Sequence, residues 1–386
     1  MKFKQVKIED VADVTKLAGF EFTKYIKYNE TGEIIALRAI NIRNNTLDLT
    51  DIKRIDKSVS ELLIRSKLYK DDIILTYTGN GAGAAAIIDE NDKYHLAPNI
   101  CKITPKEIDP YYLYTYITSN KFQKEISNNI GGSGQPTIPM KTIRVLPISV
   151  PSRCNQTKIA KILKNIDDKI KLNNEINNNL RELCKTNYLR IVEENSVEIS
   201  LSELMDYQGG SQPPASEFQK EKNEDNIRFV QIRDFETDSY ICYIPNSNKN
   251  KLCNKDDILI ARYGASLGRI CYGLSGAYNV ALAKVLPKKA EYKELLRVIL
   301  ESDDFYNYIN QVGQRSAQAG FNVGDIAGYT VIIPNENGLK VFNNISKNII
   351  DKRLLMIEEN RKLSELRDTL LPKLLNGEID LGNIEI

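Results

Sequence analysis

The 386-residue chain has no tryptophan, only one histidine (His95), and no two cysteines closer than eleven residues. A single imidazole excludes a metal site built from several histidines, and the lack of a Cys-x-x-Cys motif excludes the usual zinc and redox arrangements. No window approaches 18 uninterrupted apolar residues, and the N-terminal segment has no apolar signal core. The sequence therefore predicts a cytoplasmic protein with reduced cysteines and no metal site.

A strong excess of charge of one sign is also missing. The chain has 53 basic and 51 acidic residues, which gives a formal net charge of +2. A protein that holds nucleic acid mainly through phosphate contacts is usually much more basic. Binding to DNA would therefore require basic side chains gathered on one face, or a partner that adds positive charge.

The chain does contain a long internal repeat, which is the first pattern to look for in a sequence of this length. KDDIILTYTGNGAG (70–83) recurs as KDDILIARYGASLG (255–268), at an offset of 185 residues. LYTYITSNKFQKEI (113–126) recurs as LRVILESDDFYNYI (296–309), at an offset of 183 residues. A register held this closely predicts two copies of one structural unit.

Each copy begins with short β-rich runs separated by Gly, Asn and Pro, and one helical stretch interrupts them, at 111–128 and at 292–310. Each copy ends in a long amphipathic run, and DKIKLNNEINNNLREL (168–183) matches DKRLLMIEENRKLSEL (351–366). The pattern predicts two long helices, and the second should end at Pro372.

Helices of this length extend on the order of 50–60 Å, so each apolar stripe needs a partner longer than a small domain. The expected partner is the other helix, packed antiparallel, which would set the globular units at opposite ends of a rod. Asn173 and Asn177 fall near the stripe of the first helix, and solvent exposure is favoured over a register-fixing role. The predicted fold class is α+β: two globular α/β domains separated by two long antiparallel helices, with pseudo-twofold duplication. The predicted segments are the domains 1–152 and 196–335, the helices 153–195 and 336–376, and a tail at 377–386.

The first copy contains a glycine-rich loop, GNGAG (79–83), of the kind that can hold a phosphate or S-adenosylmethionine. The second copy has Ser266 in place of Gly81, so the shared pattern is only Gly-x-x-x-Gly after a buried strand. No Gly-Lys-Ser/Thr follows, and no acidic residue completes a dinucleotide or methyl-donor site. We interpret both loops as turns that need positive φ and close backbone approach, and we predict no catalytic residue.

Two further stretches carry a family resemblance. PSRCNQTKIAKIL (151–163) has Pro, then Gln, then Ile-Ala-x-Ile-Leu, and LRDTLLPKLLNGEIDL (366–381) has Leu-x-Lys-Leu-Leu followed by Gly-Glu. With the duplicated layout, these motifs make the chain resemble the specificity subunits of type I restriction–modification enzymes over its entire length. The second copy departs from the first motif, because Leu339 and Phe342 stand where Gln156 and Ile159 stand in the first.

This resemblance implies a non-catalytic, DNA-binding subunit of a phage-defence complex that methylates and restricts DNA. Each recognition domain would read one half of a bipartite double-stranded target. The helices, as a coiled-coil spacer, would set the half-site spacing and dock two methyltransferase subunits, which restriction/translocase subunits join. The resemblance implies no cofactor on this chain, because S-adenosylmethionine, ATP and Mg²⁺ would bind the partner subunits.

The candidate DNA-binding side chains lie in polar, glycine-rich loops after strands, and in LRAIN (37–41) and VQIRD (230–234), which look like equivalent strands. Arg, Gln and Asn offer the bidentate geometry that reads guanine or adenine in the major groove. The candidates are Arg38, Asn41, Thr76, Tyr77, Thr78, Asn80, Ser133, Gln135, Thr137, Gln231, Arg233, Arg262, Tyr263, Ser266, Arg269, Gln314, Arg315, Ser316, Gln318 and Asn322.

Two alternatives stay open from the sequence alone. One is a two-module scaffold that binds proteins through its helices and makes no sequence-specific DNA contact. The other, weaker alternative is an enzyme that acts on nucleic acid.

Overall fold

The computed structural model describes residues 2–131, 134–192, 196–313 and 320–382. The chain divides into two compact units. The first unit comprises Met1–Lys169 and Leu363–Ile386, and the second comprises Ile170–Lys362. The first unit therefore includes a segment that lies after the second unit in the sequence.

The described residues of the first unit form two four-stranded sheets, one two-stranded sheet and a short hairpin. Its strands are β1 (Lys4–Lys7), β2 (Ala12–Lys16), β3 (Ile34–Leu37), β4 (Ile42–Arg43), β5 (Thr46–Leu47), β6 (Lys53–Ile55), β7 (Lys67–Leu68), β8 (Ile73–Thr76), β9 (Ala85–Ile87), β10 (Tyr94–Leu96), β11 (Ile100–Pro105) and β12 (Pro147–Val150). The strand orders are β2-β11-β8-β9, β6-β3-β10-β7, β1-β12 and β4-β5.

Six helices cover this unit before the first long helix begins. They are α1 (Ile8–Val11), α2 (Gly19–Tyr25), α3 (Lys57–Leu62), α4 (Pro110–Thr118), α5 (Asn120–Asn128) and α6 (Met140–Val145). The long helix α7 (Arg153–Val192) follows them and has 40 residues.

The helical stretch predicted at 111–128 is two helices rather than one. Asp109 caps α4 by accepting hydrogen bonds from the amides of Tyr111 and Tyr112, with Pro110 in the first turn. Ser119 then has extended backbone and caps α5 by accepting from the Phe122 amide. The break occurs because one residue both ends the first helix and supplies the cap of the next.

The second unit repeats this arrangement. Its strands are β13 (Ser196–Ser200), β14 (Met205–Gly209), β15 (Asn226–Val230), β16 (Cys242–Pro245), β17 (Leu252–Cys253), β18 (Leu259–Ala261), β19 (Ile270–Cys271), β20 (Gly276–Tyr278), β21 (Leu282–Pro287) and β22 (Thr330–Pro334). Its shorter helices are α8 (Leu201–Leu204), α9 (Lys293–Leu300), α10 (Asp303–Gly313) and α11 (Val323–Ala327), and the second long helix is α12 (Glu336–Asn376). The stretch predicted at 292–310 is likewise two helices, α9 and α10.

The sheet orders of the second unit match those of the first, except that the β4-β5 hairpin has no counterpart among the described residues. They are β14-β21-β18-β19, β16-β15-β20-β17 and β13-β22. One four-stranded sheet in each unit includes a parallel pair of strands. This pair is β3 with β10 in the first unit and β15 with β20 in the second. The predicted mixed fold with internal duplication is confirmed.

The main sheet of the first unit buries both of its faces. Along β8, Ile73 and Leu75 join a core that includes α4, α5 and the long helices, whereas Ile74 joins a core with Leu37 of β3. Successive side chains of a strand point to opposite faces, so alternate apolar residues serve two cores. This explains why the strand is a continuous apolar run.

An ion pair recurs at the same place in both units, buried in the first and half-buried in the second. Asp72 lies 3.7 Å from the ammonium of Lys102 in the first unit, and Asp257 lies 3.1 Å from that of Lys284 in the second. Each lysine sits on the central strand, β11 or β21. The second aspartate of each KDD segment therefore has a structural role.

Within each unit, the long helices run antiparallel. In the second unit, Asn173 of α7 donates to Asn360 of α12 at 2.8 Å, and further along α7 the ring of Tyr188 packs on Phe342. In the first unit, Asp167 of α7 accepts from Arg367 of α12 at 3.0 Å. The prediction that the helices pair antiparallel is confirmed for each unit.

The expectation that Asn173 faces solvent is wrong. Its side chain is fully buried and donates to Glu359 and Asn360, each at 2.8 Å. Asn360 in turn donates to Asn174 at 2.8 Å. A polar layer between apolar helices favours the register in which all its hydrogen bonds are made, so Asn173 fits the register-fixing alternative.

The expectation that Pro372 ends the second long helix is also wrong. Helix α12 continues through Pro372 to Asn376, although proline removes one backbone hydrogen bond. The next turn buries Leu374 and Leu375 in the core of the first unit, and that burial offsets the lost bond. The helix ends in a Schellman motif, with Gly377 at a φ of 75°.

Among the described residues, no helix is long and apolar enough to cross a membrane.

Candidate nucleic-acid interface

The glycine loops after β8 and β18 are tight turns packed against a helix. Gly79 and Gly83 have φ values of 102° and 101°, and Gly264 and Gly268 have values of 70° and 82°. A Cβ added to Gly83 would lie 2.8 Å from the side chain of Gln123 on α5. The interpretation of these glycines as positive-φ turns is confirmed at the same two positions of both units. A close approach exists only at Gly83 and Gly268, against side chains of a helix, because a Cβ at Gly79 or Gly264 would meet nothing within 4 Å.

In the first unit, the two loops that we predicted to be polar lie beside each other. Thr78 and Thr137 form an isolated antiparallel bridge, and the amide of Gly79 donates to the carbonyl of Pro136 at 2.8 Å. The amide of Ile138 donates to the carbonyl of Tyr77 at 2.9 Å. Two segments separated in sequence thus form one continuous surface after β8.

The second unit forms the same bridge at the corresponding positions. Tyr263 pairs with Gly320, and these residues match Thr78 and Thr137 at the repeat offsets of 185 and 183. The duplication therefore extends to the contact between the loops. The geometry is repeated, but the side chains that it presents differ.

A third loop joins the ends of strands from two different sheets. In the first unit, Ala97 donates to the carbonyl of Leu37 at 2.9 Å, and Asn99 accepts from the amide of Tyr77 at 3.0 Å. This loop brings the end of β3 close to the end of β8.

In the second unit, Asn279 donates to Val230 at 3.0 Å, and Ala281 accepts from Arg262 at 2.8 Å. The end of β15 is thereby held close to the end of β18. In each unit all the predicted segments that are described converge on one loop cluster.

The predicted site residues differ in accessibility. Asn80, Gln135, Arg233, Tyr263 and Asn322 are exposed, and Thr76 is fully buried at the end of β8. The half-buried candidates are Arg38, Tyr77, Thr78, Thr137, Gln231, Arg262, Ser266 and Arg269. The candidates Ser133, Gln314, Arg315, Ser316 and Gln318 lie outside the described residues.

Asn41 is buried and holds its own loop together. Its side-chain oxygen accepts from the amide of Arg38 at 3.0 Å, and its amide group donates to the carbonyls of Asp48 and Asp51. These bonds use both ends of the side chain, so Asn41 supports the fold and is not free to read a base. The segments LRAIN and VQIRD are not strands throughout, because each continues from a strand end into a 3₁₀ turn.

Two of the predicted arginines already have carboxylate partners. Arg38 pairs with Asp51 at 2.8 Å, and Arg269 pairs with Glu236 at 2.5 Å. Asn322 caps α11 by accepting from two backbone amides. A contact between these side chains and DNA would have to replace bonds that the folded chain already makes.

Arg262 has a different environment. Its guanidinium lies 5.0 Å from the ring centroid of Tyr263, 5.7 Å from that of Tyr207 and 6.0 Å from that of Phe321. Its Nε is buried and has no hydrogen-bond partner among the described residues. Aromatic faces attract the cation without neutralising its charge, so Arg262 is oriented and remains available to a ligand.

The structure adds three residues to the candidates. Lys16, at the end of β2, places its ammonium 5.0 Å from the ring centroid of Tyr77, while Tyr207 and Phe321 hold Arg262. Sequence reasoning missed Lys16 and Tyr207 because the repeat is not recognisable at the first strand of each copy. Phe321, directly before the candidate Asn322, was missed because an apolar side chain does not suggest a contact with a base. The alternation of apolar residues in ADVTK and MDYQG is the only signal that could align those strands.

The described residues show no constellation typical of a catalytic or metal site. His95 is buried, its Nδ1 lies 2.8 Å from the carbonyl of Leu96, and burial lowers its pKa. No group of three or more His, Cys, Asp or Glu side chains within the described ranges is arranged to hold a metal ion. The geometry instead provides loops with polar, aromatic and cationic side chains.

Comparison with known proteins shows what the chain is similar to. Residues 1–182 match the model of the family described as "Type I restriction modification DNA specificity domain". The specificity domain thus covers the first repeat copy and most of the following long helix.

Relatives extend the similarity beyond the specificity domain. The HindI specificity subunit of Haemophilus influenzae is 20% identical, over 91% of this chain and 95% of that protein. The MjaIX specificity subunit of Methanocaldococcus jannaschii is 25% identical, over 70% of this chain and 68% of that protein. The crystal structure of the type I system S subunit from M. genitalium superposes with a TM-score of 0.56 at 16% identity, over 97% and 96% of the two chains, and shows the same fold.

The resemblance to type I specificity subunits that the sequence predicted is therefore confirmed. These relatives are named specificity subunits of type I restriction enzymes.

Proposed function

We propose that this chain is the sequence-specific DNA-binding subunit of a type I restriction–modification complex and acts in the cytoplasm. Each unit would read one half of a bipartite double-stranded target through its loop cluster. The observation that carries the proposal is the repeated loop cluster: the same backbone contacts, Thr78 with Thr137 and Tyr263 with Gly320, present different side chains in the two units. Different side chains on one framework suit two different half-sites.

The low net charge is consistent with this role. A net charge of +2 cannot supply a strong general attraction for phosphates. The specific contacts would come from loop side chains, and the rest of the phosphate contacts would come from partner subunits. The partners that we propose are two methyltransferase subunits, with restriction/translocase subunits joining the assembly.

The long helices offer a surface for those partners. Five large apolar side chains on the helix segments of the second unit are about half exposed or more: Leu172, Leu183, Leu189, Val341 and Leu355. Exposed apolar side chains gathered on one pair of elements are typical of a surface that another protein covers. In this proposal S-adenosylmethionine, ATP and Mg²⁺ bind the partner subunits, and no cofactor binds this chain.

The test is to express the chain with its methyltransferase subunits in a host that lacks restriction and to map methylated adenines across the genome. We expect one bipartite motif with a fixed spacer. A complex that assembles but methylates no bipartite motif would instead support the scaffold alternative. The chain alone should neither methylate nor cut DNA.

The same mapping tests whether the helices set the spacing. Removing matched turns from α7 and α12 should change the spacer length and leave the two half-sites unaltered, since each turn of a helix contributes about 5.4 Å. An unchanged spacer in a variant that still assembles would refute this part of the proposal.

A further inference from the structure

The main sheets of the two units share one register, so their residues can be matched one to one. In the first unit, Lys16 of β2 and Leu75 of β8 both pair with Cys101 of β11. Tyr77 follows two residues after Leu75. Lys16 and Tyr77 therefore lie at the same end of the sheet, on the two strands that flank β11.

The second unit has the same arrangement at its corresponding end. Gly209 of β14 and Ile260 of β18 both pair with Ala283 of β21. Arg262 follows two residues after Ile260. By register, Gly209 corresponds to Lys16, and Arg262 corresponds to Tyr77.

A cation occupies this end of the sheet in both units, but it comes from opposite strands. The Lys16 ammonium lies 5.0 Å from the ring centroid of Tyr77. In the second unit the strand that carried the lysine has Gly209, and a Cβ placed there would lie 2.8 Å from Nη1 of Arg262. The guanidinium thus takes the space that a side chain at position 209 would need.

Among the described residues, no carboxylate forms an ion pair with Lys16 or Arg262. The other two candidate arginines with described side-chain hydrogen bonds, Arg38 and Arg269, are both paired with carboxylates. An unpaired cation held on an aromatic face beside the loop cluster keeps its full attraction for phosphate oxygens and base acceptors.

We infer that Lys16 and Arg262 are the equivalent DNA-contacting cations of the two units, an inference that rests on the proposed function. Lys16 is exposed and carries a compact charge on a flexible stem, which suits a backbone phosphate. Arg262 is half-buried against three rings, and its planar fork is oriented, which suits the paired acceptors of a guanine edge. Lys16 then contributes affinity at the first half-site, and Arg262 contributes base specificity at the second.

The test uses the complex with its methyltransferase subunits and a DNA duplex that carries the motif mapped for the wild type. Lys16→Ala should weaken binding of all sequences alike and reduce the slope of log K against log salt by about one. Arg262→Ala should lower binding of the cognate duplex on the order of tenfold and relax the preference at one position of the second half-site. Arg262→Lys should keep the charge and still lose that preference.

Matched controls come from the far ends of the same sheets. Lys106 follows β11 and Lys289 lies just beyond β21, at the ends opposite the loop clusters. Lys106→Ala and Lys289→Ala should leave affinity, salt slope and motif unchanged. A rescue variant that combines Lys16→Gly with Tyr77→Arg should restore the salt slope that Lys16→Gly alone loses, because it installs the arrangement of the second unit.

The outcomes separate this inference from the proposed function. A wild-type complex with a bipartite motif, combined with Lys16→Ala and Arg262→Ala variants that bind and methylate like the controls, would overturn the inference and leave the function intact. A wild-type complex without any bipartite motif would overturn both.

Discussion

The two units of this chain have the same backbone plan and differ where side chains leave the loops. Both keep the strand orders of the two four-stranded sheets and one ion pair, Asp72 with Lys102 or Asp257 with Lys284. Their loop positions diverge: threonine 78 of one unit corresponds to tyrosine 263 of the other. The two copies thus share the backbone contacts that fix the loop geometry. The side chains that those loops present differ between the copies.

The units also differ in the ion pairs that α12 makes. In the second unit, Arg353 of α12 makes two bonds to Glu301 of the globular part, at 3.0 and 3.1 Å, and both side chains are largely buried. In the first unit, Arg367 of α12 pairs with Asp167 of α7 at 3.0 Å, and both side chains are partly exposed. One ion pair is therefore largely buried and the other is solvated.

The largest expected effect comes from breaking these two ion pairs. Arg353→Ala should lower the free energy of unfolding of the second unit by about 3–5 kcal/mol, because it leaves the largely buried Glu301 with only the Tyr272 hydroxyl as a partner. Arg367→Ala should lower that of the first unit by about 1 kcal/mol or less. Urea unfolding followed separately in each unit by hydrogen exchange measures both, and equal losses would contradict the distinction.

Making the two long helices alike at one position should have the next largest effect. Asn173 of α7 corresponds, at the repeat offset of 183, to Met356 of α12. Asn173→Met should cost about 1–3 kcal/mol, because Glu359 and Asn360 lose their buried donor. Met356→Leu is the control and should cost less than about 1.5 kcal/mol. A neutral Asn173→Met variant would show that the polar layer does not stabilise the helix pair.

The glycine loops provide a third test. Gly83→Ala and its counterpart Gly268→Ala should each cost about 1–2 kcal/mol, since alanine disfavours positive φ. Gly81→Ala should be nearly neutral, because a Cβ there meets nothing within 4 Å. Thermal unfolding of the three variants measures these differences in stability. A Gly81 variant as unstable as the other two would contradict the interpretation.

The smallest effect should come from converting a turn of the second unit to that of the first. Asp234 caps the amide of Gln231 as Asn41 caps that of Arg38, and burial raises the pKa of the Asp234 carboxyl. A raised carboxyl pKa contributes stability that is fully present below the unfolded-state pKa and is lost as the pH rises through the folded-state pKa. Asp234→Asn should therefore lose that pH dependence and gain less than about 1 kcal/mol at neutral pH.

Urea unfolding of the wild type and the Asp234→Asn variant between pH 3 and pH 7 measures this difference. Parallel curves over the whole range would contradict the assignment. Asp225→Asn, at an exposed turn residue, is a suitable control.

Local chemistry made some of this structure predictable. The Asp109-Pro110 cap, the positive-φ glycines and the two long helices follow from short patterns, because each depends on residues close in sequence. The duplicated topology followed from the repeat itself. The cap and the glycine turns were predictable because few residue types satisfy their backbone geometry.

The candidate site was only partly predictable. The placement of Lys16 against Tyr77, and of Arg262 opposite Gly209, depends on strand register between segments far apart in sequence, which no local pattern records. Asn173 has a polar side chain on an apolar stripe, and only the opposite helix decides whether it is buried. The continuation through Pro372 likewise depends on the burial of the turn that follows it.

The first unit is built from two segments that are far apart in the sequence, which has a consequence for the order in which the units fold during synthesis. Leu374, Leu375 and Leu381 lie in the same core as Ile159 and Leu163, and the carbonyl of Leu381 accepts from Lys158 at 2.7 Å. The second unit, by contrast, is built from the uninterrupted stretch Ile170–Lys362. The nascent chain therefore completes the core of the later-encoded unit first. The earlier-encoded unit must wait, partly open, until its closing segment leaves the ribosome.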